Sequence, residues 1–579
     1  MHNMHRERDF YMVRKKAKVA ALLLASFMTV SSVGLLSGCN KKDSKTDEVV
    51  TIEADSVWYN SKKIKLESPY DTDDVAAITM NSAVYMDDCI YVLITGERNF
   101  DINEAQKNPD FNYNDYIISS IAKYDLDGNF LEEMEIFNDS GFDIMQALSM
   151  SMQNGKLKVM CMGGNANSGS TSNISVIVDP KTKEAKLEEL DFDTGDLSFV
   201  EGSYDIGDST VSLIFDYSGN QTTYKAAISN QGKIVKTVDL SKATTKQFDG
   251  ISNVLVIDDD TLAFGCMGKE NFTLELTVST GEVNVAEKNM NTGGHYFETS
   301  QDGSSYAVDY EGIYGINDDL EPELLMDFSN TNINVSSIWG GSVALISDDK
   351  IVAFKQDYSN VLMPESYIFV FEKAEENPNA GKKILDVYSL SGSVSFSEAE
   401  SVVKFNETNS DYFIKMSFAN VATEDDESDY KNVNAVSDEL MIDVMNGEGP
   451  DVILNAQGIA QFNTSAYFVD MASFIDGDNG LDKSKYFTNV LDASKTPDGG
   501  IYQLPITIEV DGIMALEKDV EAGRIGFSFD DYIQFVDKAY YAEKAVDDNL
   551  AEVLALYLDH DFVTSDTMRD YLTELASKE

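Results

Sequence analysis

The chain predicts two fold classes in succession: an all-β part of β-propeller type, with about six or seven blades, over residues 51–376, and an α/β part over residues 383–579. Three observations predict this. At 579 residues the chain exceeds what one hydrophobic core organises. Residues 51–376 are a succession of short runs rich in Val, Ile, Tyr, Phe and Thr, punctuated by Gly, Asn, Asp and Ser, with little helical periodicity. After the turn-rich linker Asn377-Pro-Asn-Ala-Gly-Lys382 the apolar period changes to that of alternating strands and helices.

Composition narrows the function. With 43% hydrophobic and 10% aromatic residues the chain can bury sizeable cores. Its formal charge is -56. A body this acidic repels phosphate backbones and anionic headgroups, so nucleic acid is not an expected partner. Arg14, Lys15, Lys16 and Lys18 precede an apolar run from Val19 to Val30, and small residues then lead to Cys39. That is the layout of a secretory leader. Leu36-Ser-Gly-Cys39 resembles a bacterial lipobox, which implies lipidation of Cys39 and an extracytoplasmic, membrane-anchored body. The polar residues 40–50 then serve as a flexible tether. Without the leader the chain holds 38 basic against 98 acidic residues.

Cys89, Cys161 and Cys266 lie in apolar or β-like contexts outside any CxxC, and read as buried free thiols. Only four histidines occur, two of them in the leader, so neither a zinc site nor a histidine-dependent catalytic pair is expected, and no cofactor is implied.

In the β-rich part, runs such as Tyr91-Val-Leu-Ile-Thr, Val211-Ser-Leu-Ile-Phe and Tyr367-Ile-Phe-Val-Phe read as strands. Five stretches read as the third strand of a unit turning into a fourth: 122–130, 177–183, 227–233, 277–282 and 314–320. Their turns recur at roughly 40 to 55 residues, near the period of a four-stranded blade. The segment resembles lipoprotein propellers whose blades carry a Tyr-Asp-x-x-Gly turn; two stacked β-sandwich domains are the alternative. Asp125-Leu-Asp-Gly-Asn129 has its glycine at the fourth position rather than the sixth of a calcium loop, and reads as a hairpin turn. The acidic run 424–429 reads as a solvated loop.

In the α/β part, Lys383 to Ser389 is a strand followed by the small-residue loop Leu390-Ser-Gly-Ser393. A capping box at Ser397-Glu-Ala-Glu400 opens a helix with Ala399, Val402, Val403 and Asn406 on one side. A second strand spans Tyr412 to Phe418. A helix capped by Ser437, with Leu440, Met441, Val444 and Met445 at helical spacing, stops at Gly447, and Asp451-Val-Ile-Leu454 forms a third strand. The order strand, helix, strand, helix, strand predicts a parallel sheet with Asn455 and Gln457 at its carboxyl edge, where open α/β sheets bind ligands.

The stretch Gly447-Glu-Gly-Pro-Asp-Val-Ile453 resembles the Gly-x-Gly-Pro-Asp-Val-Ile segment of extracellular solute-binding proteins, the receptors of ABC importers, particularly the sugar-binding group. Phe405 to Lys415, Phe468 to Asp476 and Asp498-Gly-Gly-Ile-Tyr-Gln-Leu-Pro505 resemble further segments of that family, with Met471, Ala472 and Gln503 as departures. The resemblance implies a hinge strand over residues 506–516, in which Glu509 stands where some sugar-binding members place a ligand-contacting carboxylate. A further helix opens with Ser528 and Asp531, and others follow over 549–558 and 565–577. Residues 383–579 supply about half of what the family's two lobes need, so the second lobe is expected to be partial.

The expected ligand residues are Ser391, Gly392, Asn455, Gln457, Thr507 and Glu509. Hydroxyl and amide groups with one carboxylate suit sugar hydroxyls better than a bare anion. The expected function is a lipid-anchored, extracytoplasmic solute-binding protein of an ABC importer, binding a sugar or oligosaccharide, partnered by a permease and performing no covalent step. The rivals are a surface enzyme acting on polysaccharide through its propeller, and a non-transporting interaction or sensor lipoprotein.

Overall fold

A computed structural model describes residues 50–506 except 102–106, 108–110, 137–143, 154, 166–169, 190–197, 217–221, 231–232, 291–294, 296, 301–303, 318–319, 348, 360–361, 420–428, 458 and 478–479. The chain forms two compact units, residues 1–458 and 459–579. Cys39, the residues 40–49 of the tether, Thr507, Glu509 and the three C-terminal helices expected after them lie outside the described residues.

The first unit is built on a six-bladed β-propeller, each blade a four-stranded antiparallel sheet. Blades 1 to 5 are meanders in chain order over 75–135, 144–189, 198–239, 250–285 and 298–327. All five of the hairpins expected from sequence join the third and fourth strands of these blades. Blade 6 has only three consecutive strands, Ser342–Ile346, Lys350–Asp357 and Glu365–Lys373. Its fourth comes from the start of the fold: Tyr59–Leu66 runs antiparallel to the third, Tyr59 opposite Lys373 and Leu66 opposite Ser366. Closing the ring in this way removes the open strand edge that a linear array would leave.

Alternation along the strands puts apolar side chains between neighbouring sheets, as in face-to-face sheet packing. Val92, Ile94 and Tyr124 of blade 1 pack with Val352, Phe354 and Ile368 of blade 6. Leu213 and Ile228 of blade 3 pack with Phe264 and Leu274 of blade 4. Blades 2 and 3 also share a polar contact: Lys158 Nζ, almost fully buried, lies 2.7 Å from Asp205 Oδ1 and donates to Thr210 Oγ1, and Ser151 Oγ donates to Asp205 Oδ2 at 3.2 Å. An ammonium removed from water needs such a partner set.

The Asp125 loop is a hairpin turn. The Asn129 side-chain amide donates to Asp125 Oδ2 (2.9 Å) and, with the backbone N–H groups of Asn129 (2.8 Å) and Asp127 (3.0 Å) donating to Oδ1, holds the Asp125 carboxyl below the usual carboxylate range. Gly128 has φ +82°, and a Cβ there would lie 2.5 Å from Ile64 Cγ2 of the closing strand. Glycine is therefore required both by conformation and by space.

After blade 6 a three-stranded parallel sheet follows, in the spatial order Tyr412–Phe418, Lys383–Ser389, Val452–Leu454. The three strands match the sequence expectation nearly residue for residue. Helix α1 (Phe396–Thr408) joins the first two, and helix α2 (Asp429–Asn446) leads to the third. Two caps differ from expectation. The capping box is formed by Ser395 and Glu398, two residues before Ser397, because Ser395 has the extended backbone (φ -70°, ψ 157°) an N-cap needs. Ser437 is not a cap but a buried residue inside α2, which begins eight residues earlier through the Asn432 and Asn434 stretch of poor helix propensity. Gly447, at φ +75°, ends α2 as expected.

The linker 377–382 is turn-rich as read, but it is bound rather than loose. Asn377 and Asn379 are buried, Ile52 N donates to Lys382 O (3.0 Å) and Gly381 N to Ile52 O (2.8 Å). Helix α1 and the residue before its cap extend the propeller core: Ala399 and Val394 join Phe371, Ile338 and Val335 of the blade 5 and 6 region. Asn334 Nδ2 donates to Phe396 O and to Glu400 Oε2, both at 3.1 Å.

In the second unit the described part, 459–506, holds the short helices Ala472–Ile475 and Thr488–Ala493. Asp470 Oδ1 accepts from Ala472 N (2.9 Å) and Ile501 N (3.0 Å), and Phe462 meets Phe468 edge-on at 5.8 Å.

Candidate functional site

The central strand Lys383–Ser389 has a neighbour on each side, reached by α1 in one direction and α2 in the other. The carboxyl end of this strand, beside that of Val452–Leu454, is the topological switch point, the position at which open α/β sheets receive ligands. Ser391 and Gly392 follow one strand and Asn455 follows the other, so the fold brings together residues 64 apart in the chain.

Asn455 organises this rim. Its backbone is left-handed (φ +59°), a region Asn enters more readily than other non-glycine residues. Its Nδ2 donates to Ser389 Oγ (3.0 Å), Ser391 Oγ (3.0 Å) and Ser393 O (3.3 Å). Ser389 is fully buried and its Oγ donates to Ser393 O, which ties the loop to the strand end. Gly392 sits at φ +70° at the turn. Ser391 and Gln457 are exposed, and Asn455 is half-buried. The rim is therefore a neutral set of hydroxyl, amide and backbone groups with no titratable member among Ser389, Ser391, Ser393 and Asn455, suited to hydrogen bonding rather than proton transfer.

Sequence reasoning singled out Ser391, Gly392 and Asn455 but missed Ser389 and Ser393, whose alternation with Ser391 was visible in the Ser-Leu-Ser-Gly-Ser run. It also missed the aromatic row beside the rim. Phe418 ends the strand in register with Ser389. Its ring lies 5.6 Å from Tyr310, which stacks at 5.7 Å and 15° on Trp339. No periodic signal marks that row, because its members come from blade 5, from the connector to blade 6 and from the parallel sheet.

Cavities lie on the flank of the sheet. One of about 160 Å³ is lined by Ile52, Trp58, Ser329, Ile384, Phe413 and Lys415. A smaller one lies between Tyr310, Glu311 and Phe328 and the α1 residues Ala399 and Val402. Beside it Tyr314 donates to Glu311 Oε2 at 2.5 Å, His295 stacks on Tyr314 at 4.1 Å, and His295 Nδ1 lies 3.2 Å from Asp309 Oδ2. Burial raises the Glu311 carboxyl, opposed by its Tyr314 hydrogen bond. Among the described residues no group of His, Cys, Asp and Glu is arranged to hold a metal. Cys161 and Cys266 are buried free thiols pushed up to about 12 by burial; Cys89 is also free but only half-buried, at the edge of its strand.

The class of fold is thus a six-bladed propeller carrying a small parallel sheet. No family model matches the chain, and no curated protein matches it. Solved structures similar to it include Zg3597, a family 117 glycoside hydrolase of the marine bacterium Zobellia galactanivorans (10% identity over 54% of this chain and 91% of that one, TM-score 0.29). Another is the β-propeller domain of the Trilobed protease of Pyrococcus furiosus (11% identity, 48% and 78% covered, TM-score 0.27). A third is the Pyrococcus horikoshii acylaminoacyl peptidase (11% identity, TM-score 0.29), where the match spans 48% of this chain and under half, 43%, of the peptidase. With overlaps this low, blade number and ring closure rest on the strand pairing of this chain itself.

Proposed function

We propose that the protein is a lipid-anchored, extracytoplasmic binding protein that takes a carbohydrate at the carboxyl rim of its parallel sheet and hands it to an ABC permease. The observation that carries the reading is the meeting of Asn455 with Ser389 and Ser391 at the switch point of a sheet ordered second, first, third strand. Neutral donors and acceptors on rigid strand ends match the hydroxyls of a sugar, and the -56 formal charge disfavours an anionic solute. Gly392 and the exposed Gln457 complete the proposed ligand set within the first unit, and Cys39 carries the anchor.

Thermal unfolding in the presence of a panel of neutral sugars tests this. A ligand at about 100 times its Kd should stabilise the folded protein by about 2.7 kcal/mol. Asn455→Ala should abolish the shift, because it releases the serine loop as well as the amide. A panel that shifts nothing removes the proposal.

A further inference from the structure

We propose that the half-open indole of Trp339 is a stacking platform for a pyranose ring of a neutral oligosaccharide, so that the propeller supplies one end of a ligand site whose other end is the serine and asparagine rim. This inference rests on the carbohydrate reading above and extends it to the size of the ligand and to a second set of residues.

Trp339 is 50% exposed, whereas the chain's other tryptophan, Trp58, is 5% exposed and packed edge-on against Phe413. Leaving half an indole in water forgoes considerable apolar burial. Its position is nevertheless rigidly built. Trp339 N donates to Val335 O (3.2 Å), Gly340 N to Val308 O (2.9 Å) and Gly341 N to Ile338 O (2.9 Å). A Cβ on Gly341 would come within 2.9 Å of Ile338 O and 3.0 Å of Phe354 O, so the turn is seated directly on backbone. Tyr310 braces the ring by parallel stacking, and Phe418 braces Tyr310. An aromatic surface held this firmly loses little entropy when a ligand settles on it.

The row also reaches the rim. Phe418 is paired with Ser389, and the next residue, Ala419, donates its N–H to Ser389 O at 2.9 Å. Trp339, Tyr310, Phe418 and the Ser389 strand end therefore form one continuous path of contacts within the first unit.

Charge selects the ligand class. Lys355 Nζ lies over the Trp339 ring, 5.7 Å from its centroid, where it repels a cationic headgroup from the indole and has to swing aside for a sugar to stack on the face it covers. The acidic body repels anions. A sugar is neutral, offers slightly positive C–H groups to the negative aromatic face, and carries hydroxyls for charged neighbours. Lys355 and the exposed Glu298, on the first strand of blade 5, supply such neighbours. Crowding by protein raises the Glu298 carboxyl, with Lys355 pulling it the other way, and burial lowers Lys355.

Because Trp58 is buried, acrylamide quenching of intrinsic fluorescence reads Trp339. The full-length protein would be titrated with maltotriose, xylotriose and chitotriose while Tm and quenching are followed in parallel, alongside Trp339→Ala, Trp339→Phe and Asn455→Ala. The expected result is one trisaccharide that raises Tm and lowers the quenching constant about twofold, with binding weakened about tenfold in Trp339→Ala and largely retained in Trp339→Phe. A trisaccharide that raises Tm while leaving quenching unchanged, and binds Trp339→Ala as tightly as the parent, overturns the platform and leaves the rim reading standing. Loss of binding in Trp339→Ala without loss in Asn455→Ala supports the platform and overturns the rim. No response from any trisaccharide in either readout overturns both.

Discussion

The blades and the parallel sheet are held by different means. Each blade is sandwiched between two others, so its middle strands are apolar on both faces: Val352, Ala353, Ile368, Phe369 and Phe371 in blade 6 are all under 1% exposed. The parallel sheet has only three strands, its third is three residues long, and Val452 is 46% exposed. The sheet gains its order by leaning on the propeller, through α1 in the core around Phe371 and through Phe413 against Trp58. A closed ring can keep its rigidity whatever it carries. A three-stranded sheet with a half-exposed edge keeps a shaped rim only while one flank is braced.

That contrast can be broken or sharpened by substitution. The largest effect is expected for Phe369→Ala, which empties a fully buried site between blades 5 and 6 and should cost about 3–5 kcal/mol in urea unfolding. If it unfolds the ring and leaves the parallel sheet and its rim ordered, the sheet does not lean on the ring as described. Next comes Lys158→Met, which strands Asp205 between blades 2 and 3. The expected loss is about 2–3 kcal/mol, less than for a fully buried pair because Asp205 keeps a fifth of its side chain in water (20% exposed). Adding Asp205→Leu should recover most of it, and a double-mutant cycle without coupling would contradict the assigned partnership.

Ser395→Ala removes the capping box of α1 and should cost about 1 kcal/mol. Since α1 is what binds the sheet to the ring, this loss should also loosen the rim, seen as faster hydrogen exchange at the Ser389 to Ser393 loop than in blade 4. The smallest effect lies at Asp386. Burial first, and the Asp451 carboxylate second, push its carboxyl up, with Lys415 opposing. An acid whose folded pKa is raised binds its proton more tightly when folded, so stability is highest at low pH and falls as pH rises from the unfolded carboxylate range through the folded pKa. Asp386→Asn should therefore give a small gain in Tm at about pH 7 that vanishes at about pH 3. A gain at both would place the effect outside titration.

Much of this architecture was readable before any coordinates. The hairpins at Asp125, Asp179, Asn230, Thr280 and Asn317 announce themselves through turn residues whose side chains and backbone close the turn locally, as Asp125 and Asp179 do. The parallel strands were readable because a run such as Lys383-Ile-Leu-Asp-Val-Tyr-Ser389, set between a turn-rich linker and the small-residue loop Leu390-Ser-Gly-Ser393, has few alternatives. Ser391 and Asn455 were legible as strand-end residues by the same logic. The cap placed at Ser397 was misjudged because Ser393, Ser395 and Ser397 alternate in one pattern and only the backbone angle at Ser395 chooses among them, and the cap placed at Ser437 because the poor helix formers Asn432 and Asn434 hide the earlier start of α2.

By itself the sequence determined the local elements: where strands turn, where the period changes from two to 3.6, which residues end the parallel strands, and that the body is strongly acidic. Tertiary structure alone decided that the ring has six blades, that Tyr59–Leu66 completes the last of them some 300 residues from its partner, and that Trp339, Tyr310 and Phe418 stand in one row leading to Ser389. The physical reason is range. Turn chemistry and periodicity act over a few neighbouring residues and leave a local signature, whereas ring closure and the aromatic row depend on contacts between distant segments, which chain order does not encode in any short pattern.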